Sequence, residues 1–456
     1  MDMKTRRFLS FFSAFLVIWI LTLPVLAADT DKVLEDPAVQ AEAALLVERT
    51  SGKILYSHNA DIQRYPSSLV KIMTALVVLE AVEDGTLSMD QKIATSPTAL
   101  AATTGVTAGL DEGEEMSVRD LLACMLVVSA NDASHVLAEA AAGSIENCVA
   151  QMNTRAQELG CVNTHFTNVT GDHNDNMYTT AQDMLLITEE AMKHEAFLPI
   201  CDIADLIIAP TNTTPKERHY HTTNHLLSNW RALGYIYKDA HGIKDSSSTQ
   251  AGHCLITSAV KGDLDLVCVV MGAKKVTLDD GKTQIQSFSE ATRLLKWGFN
   301  SFGYQTILTP NDMLASMPVT MSDSDAVTLH SAKEITVLMP NILTPEDLTR
   351  TIRFTQKSVE APVEAGQQLA EVELSYGDDV YAVVPLVALN SVAVSETQVI
   401  EREVETFFSR TEIRIALIAV VVLVILILLW KMTIGRRRYR YGKSIRGRGN
   451  YRGRRK

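Results

Sequence analysis

The sequence predicts an α+β protein: an antiparallel sheet with a helical subdomain, then a small all-β domain and a C-terminal transmembrane helix. Three patterns lead to this prediction. Strand-like segments at both ends of residues 35–300 enclose a mainly helical middle. Residues 305–396 show almost only strand patterns, separated by turn signals. Residues 415–430 form an unbroken apolar run, near the length that crosses a bilayer.

The first domain is predicted to begin with a hairpin of residues 43–48 and 54–57, two apolar runs around a Thr-Ser-Gly turn. Apolar residues then recur at helical spacing over residues 68–82, which predicts an amphipathic helix buried on one side. Capping signals at residues 117–120 and 180–183 predict two further helices.

A second hairpin is predicted at residues 254–259 and 264–271, followed by a helix at residues 288–297. Strands therefore lie at both ends of the domain. We expect them to pair in one antiparallel sheet whose first and last strands come from distant parts of the chain.

Both ends of the chain carry membrane signals. Basic residues, an apolar run and small residues predict a secretory signal peptide over residues 1–27, with an uncleaved anchor as the alternative. Near the other end, a stalk at residues 397–412 is predicted to lead into a transmembrane helix at residues 413–434. Residues 435–456 form a basic tail. Because basic flanks stay in the cytoplasm, we expect the body of an exported, single-pass membrane protein to lie outside the cell.

The charge of the chain is unevenly distributed. The formal net charge is −12, yet residues 28–412 hold 26 Lys and Arg against 53 Asp and Glu. Such an acidic body argues against nucleic-acid binding. An RNA-binding role for the Arg-Gly tail stays open as an alternative, although a stop-transfer tail needs the same charges.

Six scattered cysteines without paired spacing predict neither a disulfide framework nor a zinc site, and leave one or two disulfides open. An Asp-His-Asn-Asp run at residues 172–175 lacks a second histidine at helical spacing. We expect it to form a turn and not a metal site.

The candidate nucleophile is Ser68, three residues before Lys71 at the start of a predicted helix. Positions i and i+3 share a helix face, so an amine whose charge is suppressed could accept the hydroxyl proton. Taken alone, a serine at a helix start and a solvated lysine explain this pattern better than an active site does. Ser258 and Lys261 show the same spacing, but they lie in a predicted strand and turn, where their side chains point apart.

Two further motifs follow in the chain. Ser129 and Asn131 stand at the end of a helix, where a serine can relay a proton and an amide can hold a substrate carbonyl. An ordinary helix-ending turn is the simpler interpretation. Lys244 stands at the start of the late sheet, and the joint order of the three motifs favours an active site.

Together the motifs resemble those of the low-molecular-mass penicillin-binding proteins, the serine D-alanyl-D-alanine carboxypeptidases. The resemblance rests on residues 66–71, 129–133, 242–244 with 251–255, 177–183 and 294–299. It implies a penicillin-binding-protein/β-lactamase-like fold for a catalytic domain at residues 35–300. It also implies a membrane-anchored enzyme that trims the terminal D-alanine of peptidoglycan stem peptides, binds β-lactam antibiotics and needs no metal or organic cofactor.

The resemblance implies three catalytic residues. Ser68 would attack the carbonyl between two D-alanines and form an acyl-enzyme, with Lys71 as its base. Ser129 would pass the proton towards the leaving amine.

It also implies three binding residues. Asn131 would hold the acyl side chain of the substrate. Lys244 would add a positive field near the substrate carboxylate, and the N–H of Ser247 would complete an oxyanion hole with that of Ser68.

The third motif departs from the family pattern Lys-Thr-Gly, because Asp245 and Ser246 follow Lys244. The threonine hydroxyl normally helps to bind the terminal carboxylate, where Asp245 would place a like charge. Ser246 would add a side chain where the substrate backbone lies. Ser287 stands where family members often have an arginine for the same carboxylate.

Three functions therefore stay open. An active carboxypeptidase of altered specificity comes first, since the acylation residues are intact. A catalytically impaired homologue that binds peptidoglycan or a protein partner is second. A β-lactamase is third, because it would need an efficient deacylating base that no feature marks. A lysine from residues 273–286 over the cleft would favour the active enzyme.

Overall fold

The computed structural model describes residues 32–279 and 281–440 of the 456-residue chain. The predicted signal peptide and residues 441–456 of the predicted basic tail lie outside this part. The described chain divides into two compact units, residues 32–305 with 337–344 and residues 306–336 with 345–440.

The first unit is built on a five-stranded antiparallel sheet. Its strands and those of three small ribbons are, in chain order, β1 (Ala43–Glu48), β2 (Lys53–His58), β3 (Lys92–Ala94), β4 (Glu115–Ser117), β5 (Asp205–Ile208), β6 (Arg218–His221), β7 (Ala240–Ser248), β8 (Gly252–Lys261), β9 (Leu264–Ala273), β10 (Lys275–Thr277) and β11 (Thr283–Ile285). The main sheet has the order β2-β1-β9-β8-β7. Ala44 lies opposite Val270, so the prediction that distant strands close this sheet is confirmed.

Helices cover both faces of this sheet. The helices of the first unit are α1 (Val70–Glu83), α2 (Pro97–Ala102), α3 (Val118–Ala123), α4 (Asn131–Ala142), α5 (Ile145–Glu158), α6 (Ala181–Ala191), α7 (Phe197–Cys201) and α8 (Gln286–Ser301). A 3₁₀ turn, Ser67–Leu69, precedes α1, and a π-helix, Cys124–Val128, follows α3. Both predicted caps are present: Ser117 accepts from the N–H of Asp120, and Thr180 accepts from that of Asp183.

Alternate residues of β1 pack into two separate hydrophobic cores. Leu45 and Val47 belong to the core that contains α1, whereas Ala44 and Leu46 belong to the core that contains α8. Successive side chains of a strand point to opposite faces, so a sheet covered on both faces needs an apolar run without polar alternation. This explains why the apolar residues 43–47 of β1 are all buried.

Helix α1 is buried on nearly every side, and the prediction of burial on one side alone is wrong. It packs against α4, α5 and α6. Its apolar residues include consecutive runs, such as Ala75 to Leu79, so they occupy all directions around the helix axis. A helix that is apolar all round belongs in the centre of a domain. The residues at its first turn, Lys71 among them, are therefore enclosed as well.

The strands after α8 are β12 (Phe302–Leu308), β13 (Met313–Thr320), β14 (Ala326–Ser331), β15 (Ile335–Pro340), β16 (Thr349–Phe354), β17 (Val359–Glu360), β18 (Gln368–Tyr376) and β19 (Asp379–Ala388). Six of them form a sheet with the order β16-β18-β19-β14-β13-β17, and β12 pairs with β15. The pairing of β13 with β17 is parallel. The second unit is therefore mainly β up to residue 388.

Two helices follow the second sheet. Ser395 caps helix α9 (Glu396–Ser409), because its hydroxyl accepts a hydrogen bond from the N–H of Gln398. The helix occupies most of the predicted stalk. Helix α10 (Thr411–Arg440) includes the predicted transmembrane segment. Its portion Thr411–Thr433 has a mean hydropathy of 3.1 and no residues buried within the protein, so its length and composition suit a membrane span.

All six cysteines lie in the first unit as buried, free thiols. Burial raises the pKa of each thiol above its usual value, to about 12 for Cys148 and Cys161 and to about 11 for Cys254. The thiolate is the form that reacts with alkylating agents. These thiols are therefore both inaccessible and un-ionised at neutral pH.

We expect the native protein to resist alkylation by iodoacetamide near neutral pH without reductant, because its thiols are enclosed and un-ionised. In denaturant, again without reductant, all six cysteines should be alkylated. Intact-mass spectrometry counts the added groups in both states. Fewer than six groups in denaturant would reveal a disulfide, and rapid labelling of the native chain would contradict the burial.

Candidate active site

Ser68 and Lys71 meet where the 3₁₀ turn runs into α1. The Nζ atom of Lys71 lies 3.4 Å from Oγ of Ser68, and it donates a 2.6 Å hydrogen bond to the carbonyl oxygen of Thr170. The lysine is fully buried, whereas Ser68 keeps partial exposure. The amine is thus held against a hydroxyl that a ligand can reach.

Burial lowers the pKa of Lys71 to about 7. The positive charge of Lys244 acts in the same direction, whereas the carboxylates of Asp172 and Asp245 oppose it. A substantial fraction of the amine is therefore uncharged at neutral pH. Only this uncharged form can accept a proton from the neighbouring hydroxyl.

The backbone of Gly171 packs directly beneath the candidate nucleophile. Its φ is +87°, and a Cβ at this position would lie 2.0 Å from the carbonyl oxygen of Ser67 and 2.8 Å from the amide nitrogen of Ser68. No side chain fits in that space. The loop that receives the Lys71 amine at Thr170 therefore also supports the Ser68 backbone.

Two serines of the site have left-handed backbone conformations. Ser67 has φ 48° and Ser129 has φ 69°. Residues other than glycine adopt this conformation uncommonly, and such residues cluster at functional sites. Ser129 ends the π-helix, is 9% exposed, and turns the chain into α4, which begins at Asn131.

Asn131 is oriented by two partners that the sequence did not reveal. Its Nδ2 donates to the carbonyl oxygen of Thr104 at 2.6 Å and to Oδ1 of Asp172 at 3.2 Å. The Thr104 hydroxyl donates to Oδ2 of the same carboxylate at 2.6 Å. Both amide hydrogens are thus engaged. The one sequence cue was the polar turn that contains Asp172.

Lys244 reaches the site from β7 and is paired with its neighbour. It is 1% exposed, and its Nζ donates to the Asp245 carbonyl oxygen at 2.9 Å and contacts Oδ1 at 3.3 Å. The hydroxyl of Thr223 donates to the same Oδ1. Burial raises the pKa of Asp245, but the charge of Lys244 and the hydrogen bond from Thr223 together lower it more. The pKa of Asp245 therefore lies below its usual value. Asp245 is therefore ionised at neutral pH.

The next two residues of β7 differ in exposure. Ser246 is 6% exposed and its hydroxyl donates to the carbonyl oxygen of Pro66 at 3.3 Å. Its side chain therefore joins β7 to the turn before Ser68. Ser247 is exposed and lies opposite His253 in the sheet.

The segment expected to supply an extra cation lies near the end of the main sheet. Ser287 is buried in α8 at 1% exposure. Burial and the charge of Lys275 lower the pKa of His253, which Asp245 tends to raise. The charge of Lys275 therefore acts on His253, which lies opposite Ser247 in the sheet.

Comparison with known proteins gives a consistent result. Residues 30–275 match the profile described as D-alanyl-D-alanine carboxypeptidase, and residues 302–394 match that of the penicillin-binding protein 5 C-terminal domain. The chain is 30% identical to D-alanyl-D-alanine carboxypeptidase DacF of Bacillus subtilis over 351 residues, 77% of this chain and 85% of the relative. It is 30% identical to DacD of Salmonella typhimurium over 384 residues, 81% of this chain and 91% of the relative.

Solved structures agree with these relatives. Penicillin binding protein 5 from Haemophilus influenzae superimposes with a TM-score of 0.58 at 27% identity, over 79% of this chain and 100% of that protein. The D-alanyl-D-alanine carboxypeptidase DacD from Francisella tularensis gives 0.61 at 25% identity, over 80% and 97%. The α+β fold with a C-terminal β domain, as expected from the sequence, is confirmed.

Substitution of Gly171 tests the packing beneath Ser68. We expect Gly171→Ala to lower the free energy of unfolding by about 1 kcal/mol from its positive φ and by about 1–3 kcal/mol more from the clash. Gly85→Ala is the matched control, because Gly85 has φ +83° but open space around its Cβ position. Urea unfolding in mild detergent measures the free energy of unfolding of each variant. Equal losses for the two variants would contradict the close packing.

Proposed function

This chain belongs to the D-alanyl-D-alanine carboxypeptidase family, and we propose that it is a membrane-anchored serine hydrolase that removes the terminal D-alanine of peptidoglycan stem peptides. One observation carries the proposal: the buried Lys71 amine lies 3.4 Å from the Ser68 hydroxyl, with its pKa lowered to about 7. A serine nucleophile needs such a base. The names of the relatives, D-alanyl-D-alanine carboxypeptidases, supply the substrate class.

In the proposed acylation, uncharged Lys71 takes the proton of the Ser68 hydroxyl while Oγ attacks the carbonyl carbon of the D-alanyl peptide bond. The backbone N–H groups of Ser68 and Ser247 are assigned to the oxyanion that forms. The C–N bond then breaks. The proton passes from Lys71 through Ser129 to the leaving amine, and the acyl group stays on Ser68 as an ester.

Deacylation reverses these roles. A water molecule gives a proton to Lys71 and attacks the ester carbonyl, the C–O bond breaks, and Oγ of Ser68 regains a proton. A penicillin enters the same path through its ring amide. The leaving nitrogen stays tethered to the acyl group, so we expect the ester on Ser68 to persist long enough to be detected.

Two side chains are assigned to substrate binding. Because Thr104 and Asp172 occupy the hydrogens of the Asn131 amide, its Oδ1 is the atom that we assign to an N–H of the acyl side chain. Lys244 supplies a positive charge beside the Lys71 amine. This charge favours the uncharged base and the developing oxyanion.

We propose that α10 anchors the enzyme with residues 28–412 outside the cell and the basic residues 435–456 in the cytoplasm. The apolar portion Thr411–Thr433 supports the span, and the basic composition of the tail supports the orientation. A signal peptide at residues 1–27 would bring about export.

A catalytically impaired homologue that binds peptidoglycan or a protein partner is the second candidate. The observation that favours it is the third motif, where Asp245 and Ser246 replace threonine and glycine, together with Ser287. These changes affect the region expected to hold the terminal carboxylate. They leave the contact between Ser68 and Lys71 in place, which is why acylation separates the two candidates.

We expect the full chain in detergent to gain the mass of one penicillin, because the Lys71 base activates Ser68. Ser68→Ala should gain none, and Lys71→Ala should lose at least about 100-fold in acylation rate. Intact-mass spectrometry against time measures the adduct. Rapid loss of the wild-type adduct would identify a β-lactamase.

Lys261→Ala is the matched control for Lys71→Ala, because Lys261 ends the second Ser-x-x-Lys sequence but is exposed on β8. It should acylate at the wild-type rate. A folded wild-type chain without any adduct would overturn the proposed hydrolase in favour of the impaired homologue.

The acylation rate should rise by about tenfold per pH unit below pH 7 and level off above about pH 8, because the base acts only when deprotonated. Its pKa is about 7. Asp172→Asn should move the inflection to lower pH, since the Asp172 carboxylate raises the pKa of Lys71. Mass spectrometry of samples quenched at set times, repeated across the pH range, gives the acylation rate at each pH. A flat profile, or an inflection moved upward by this substitution, would contradict Lys71 as the base.

A further inference from the structure

The carboxylate of Asp172 lies where three segments of the active site meet. Its Oδ1 accepts a 3.2 Å hydrogen bond from Nδ2 of Asn131, and its Oδ2 accepts a 2.6 Å hydrogen bond from the Thr104 hydroxyl. The chain at residues 170–171, directly before it, includes the carbonyl oxygen that accepts from the Lys71 amine. Both carboxylate oxygens therefore have defined positions, close to the base and to the residue assigned to the acyl side chain.

The negative charge of Asp172 has no ion-pair partner among the described residues. Both contacts of its side chain come from uncharged groups, an amide and a hydroxyl. By contrast, Asp245 is paired with Lys244 at 3.3 Å, and Asp175 is paired with His173 at 3.1 Å. The charge of Asp172 is thus available to a ligand.

The titratable groups around Asp172 do not neutralise it while the base is active. Its charge raises the pKa values of Lys71 and His135, but burial lowers both pKa values more. Lys71 must be uncharged to accept a proton, and His135 is mostly neutral near pH 7. The region beside Asn131 therefore carries a net negative charge during acylation.

The pair of Asn131 and Asp172 is uncovered on the side of Gly105. This glycine is exposed with φ +76°, and a Cβ there would lie 3.1 Å from Nδ2 of Asn131 and 3.8 Å from Oδ1 of Asp172. Its neighbours Thr104 and Val106 are exposed as well. A ligand can therefore approach the carboxylate over backbone that carries no side chain at its closest point.

The acyl part of a bound donor lies within reach of this carboxylate. Oδ1 of Asn131 is assigned to an N–H of the acyl side chain, and the Asp172 carboxylate lies 3.2 Å from Nδ2 of the same amide. The residue before the two D-alanines leaves the donor backbone next to that N–H. A lysine side chain extends roughly 6 Å on its four-carbon stem, which is enough to bring its amine to Asp172.

We propose that Asp172 makes the site prefer acyl donors that carry a free amine on the residue before the two D-alanines. The ammonium group lies over Gly105 and donates a charge-assisted hydrogen bond to Oδ1 of Asp172. A carboxylate oxygen has two lone pairs, so Oδ1 accepts this bond while it keeps that of Asn131. The terminal D-alanine stays the leaving group. This inference rests on the proposed hydrolase and names the chemical class of its donor.

The test compares two donors that differ in one group, Nα-acetyl-L-Lys-D-Ala-D-Ala and the same peptide acetylated on its side-chain amine. Both release D-alanine, which mass spectrometry quantifies for the full chain in detergent. At about pH 8.5 the base is mostly uncharged and the peptide amine is charged. We expect kcat/KM to be at least about fivefold higher for the free amine, chiefly through KM, because the contact lies away from the reacting bond.

Asp172→Asn has equal size and no charge, so it should reduce this ratio to about one. The substitution also lowers the pKa of Lys71, but this change acts on both donors alike and cancels in the ratio. Asp175→Asn is the matched control, because it removes a negative charge from the same loop at a side chain that is 90% exposed. It should keep the wild-type ratio. A wild-type ratio near one, or an unchanged ratio in folded Asp172→Asn, would overturn the inference while the hydrolase stands.

Substitution of Gly105 tests the approach to the carboxylate independently. The added methyl group of Gly105→Ala would lie against Asn131 and Asp172, so the ratio should fall. Gly109→Ala is the matched control, because Gly109 has φ +68° but open space around its Cβ position. Equal ratios for these two variants would overturn the inference, and they decide it if Asp172→Asn does not fold.

Two penicillins separate this failure from that of the proposed function. Ampicillin differs from benzylpenicillin by one amine on the acyl side chain, which is mostly protonated at about pH 6.5. We expect the ratio of the ampicillin to the benzylpenicillin acylation rate to fall in Asp172→Asn. An equal ratio in both chains would overturn the inference alone, even for a chain that releases no D-alanine. No adduct from either penicillin and no product from either donor would overturn the proposed function and the inference with it.

Discussion

The burial of one amine, the Nζ of Lys71, is the constraint on which the rest of the site depends. An ammonium group without water is strongly disfavoured, so the amine gives up its proton near neutral pH. Such enclosure requires a helix that is covered on all sides at its first turn. Helix α1 meets this requirement, because its apolar residues face every direction and α4, α5 and α6 pack around it. The central position of α1 therefore both completes the core and keeps the Lys71 amine away from water.

The segments that form the site are joined to one another and to neighbouring loops largely through backbone carbonyls. Ser246 binds the carbonyl oxygen of Pro66, Lys71 binds that of Thr170, and Thr223 binds that of Val127. These contacts fix the positions of strand, loop and helix without occupying the hydroxyl of Ser68. A reactive group can then be held in place while remaining open to a ligand. The fit of Gly171 beneath the Ser67–Ser68 peptide serves the same purpose from the opposite side.

Sequence reasoning succeeded where a signal is local or repeated. The hairpins and the distant closure of the sheet follow from apolar runs with turns between them, and the pair Ser68 and Lys71 from helical spacing. It failed where a contact joins segments that no local pattern relates. Thr104 and Thr223 stand in unremarkable stretches, and only the folded chain brings them to Asp172 and Asp245. The helical spacing in α1 was likewise misleading, since spacing shows a helix but not how many of its sides are covered.

The two carboxylates near Lys71, Asp172 and Asp245, limit how far the pKa of that amine falls. Each one raises the pKa of Lys71, against the effects of burial and Lys244. A neutral residue at position 245 would lower that pKa and remove the carboxylate partner of the Lys244 ammonium. Burial and the charge of Lys244 together outweigh the two carboxylates, so the pKa of Lys71 stays at about 7. The amine beside Ser68 thus stays matched to neutral pH although the third motif departs from the family pattern.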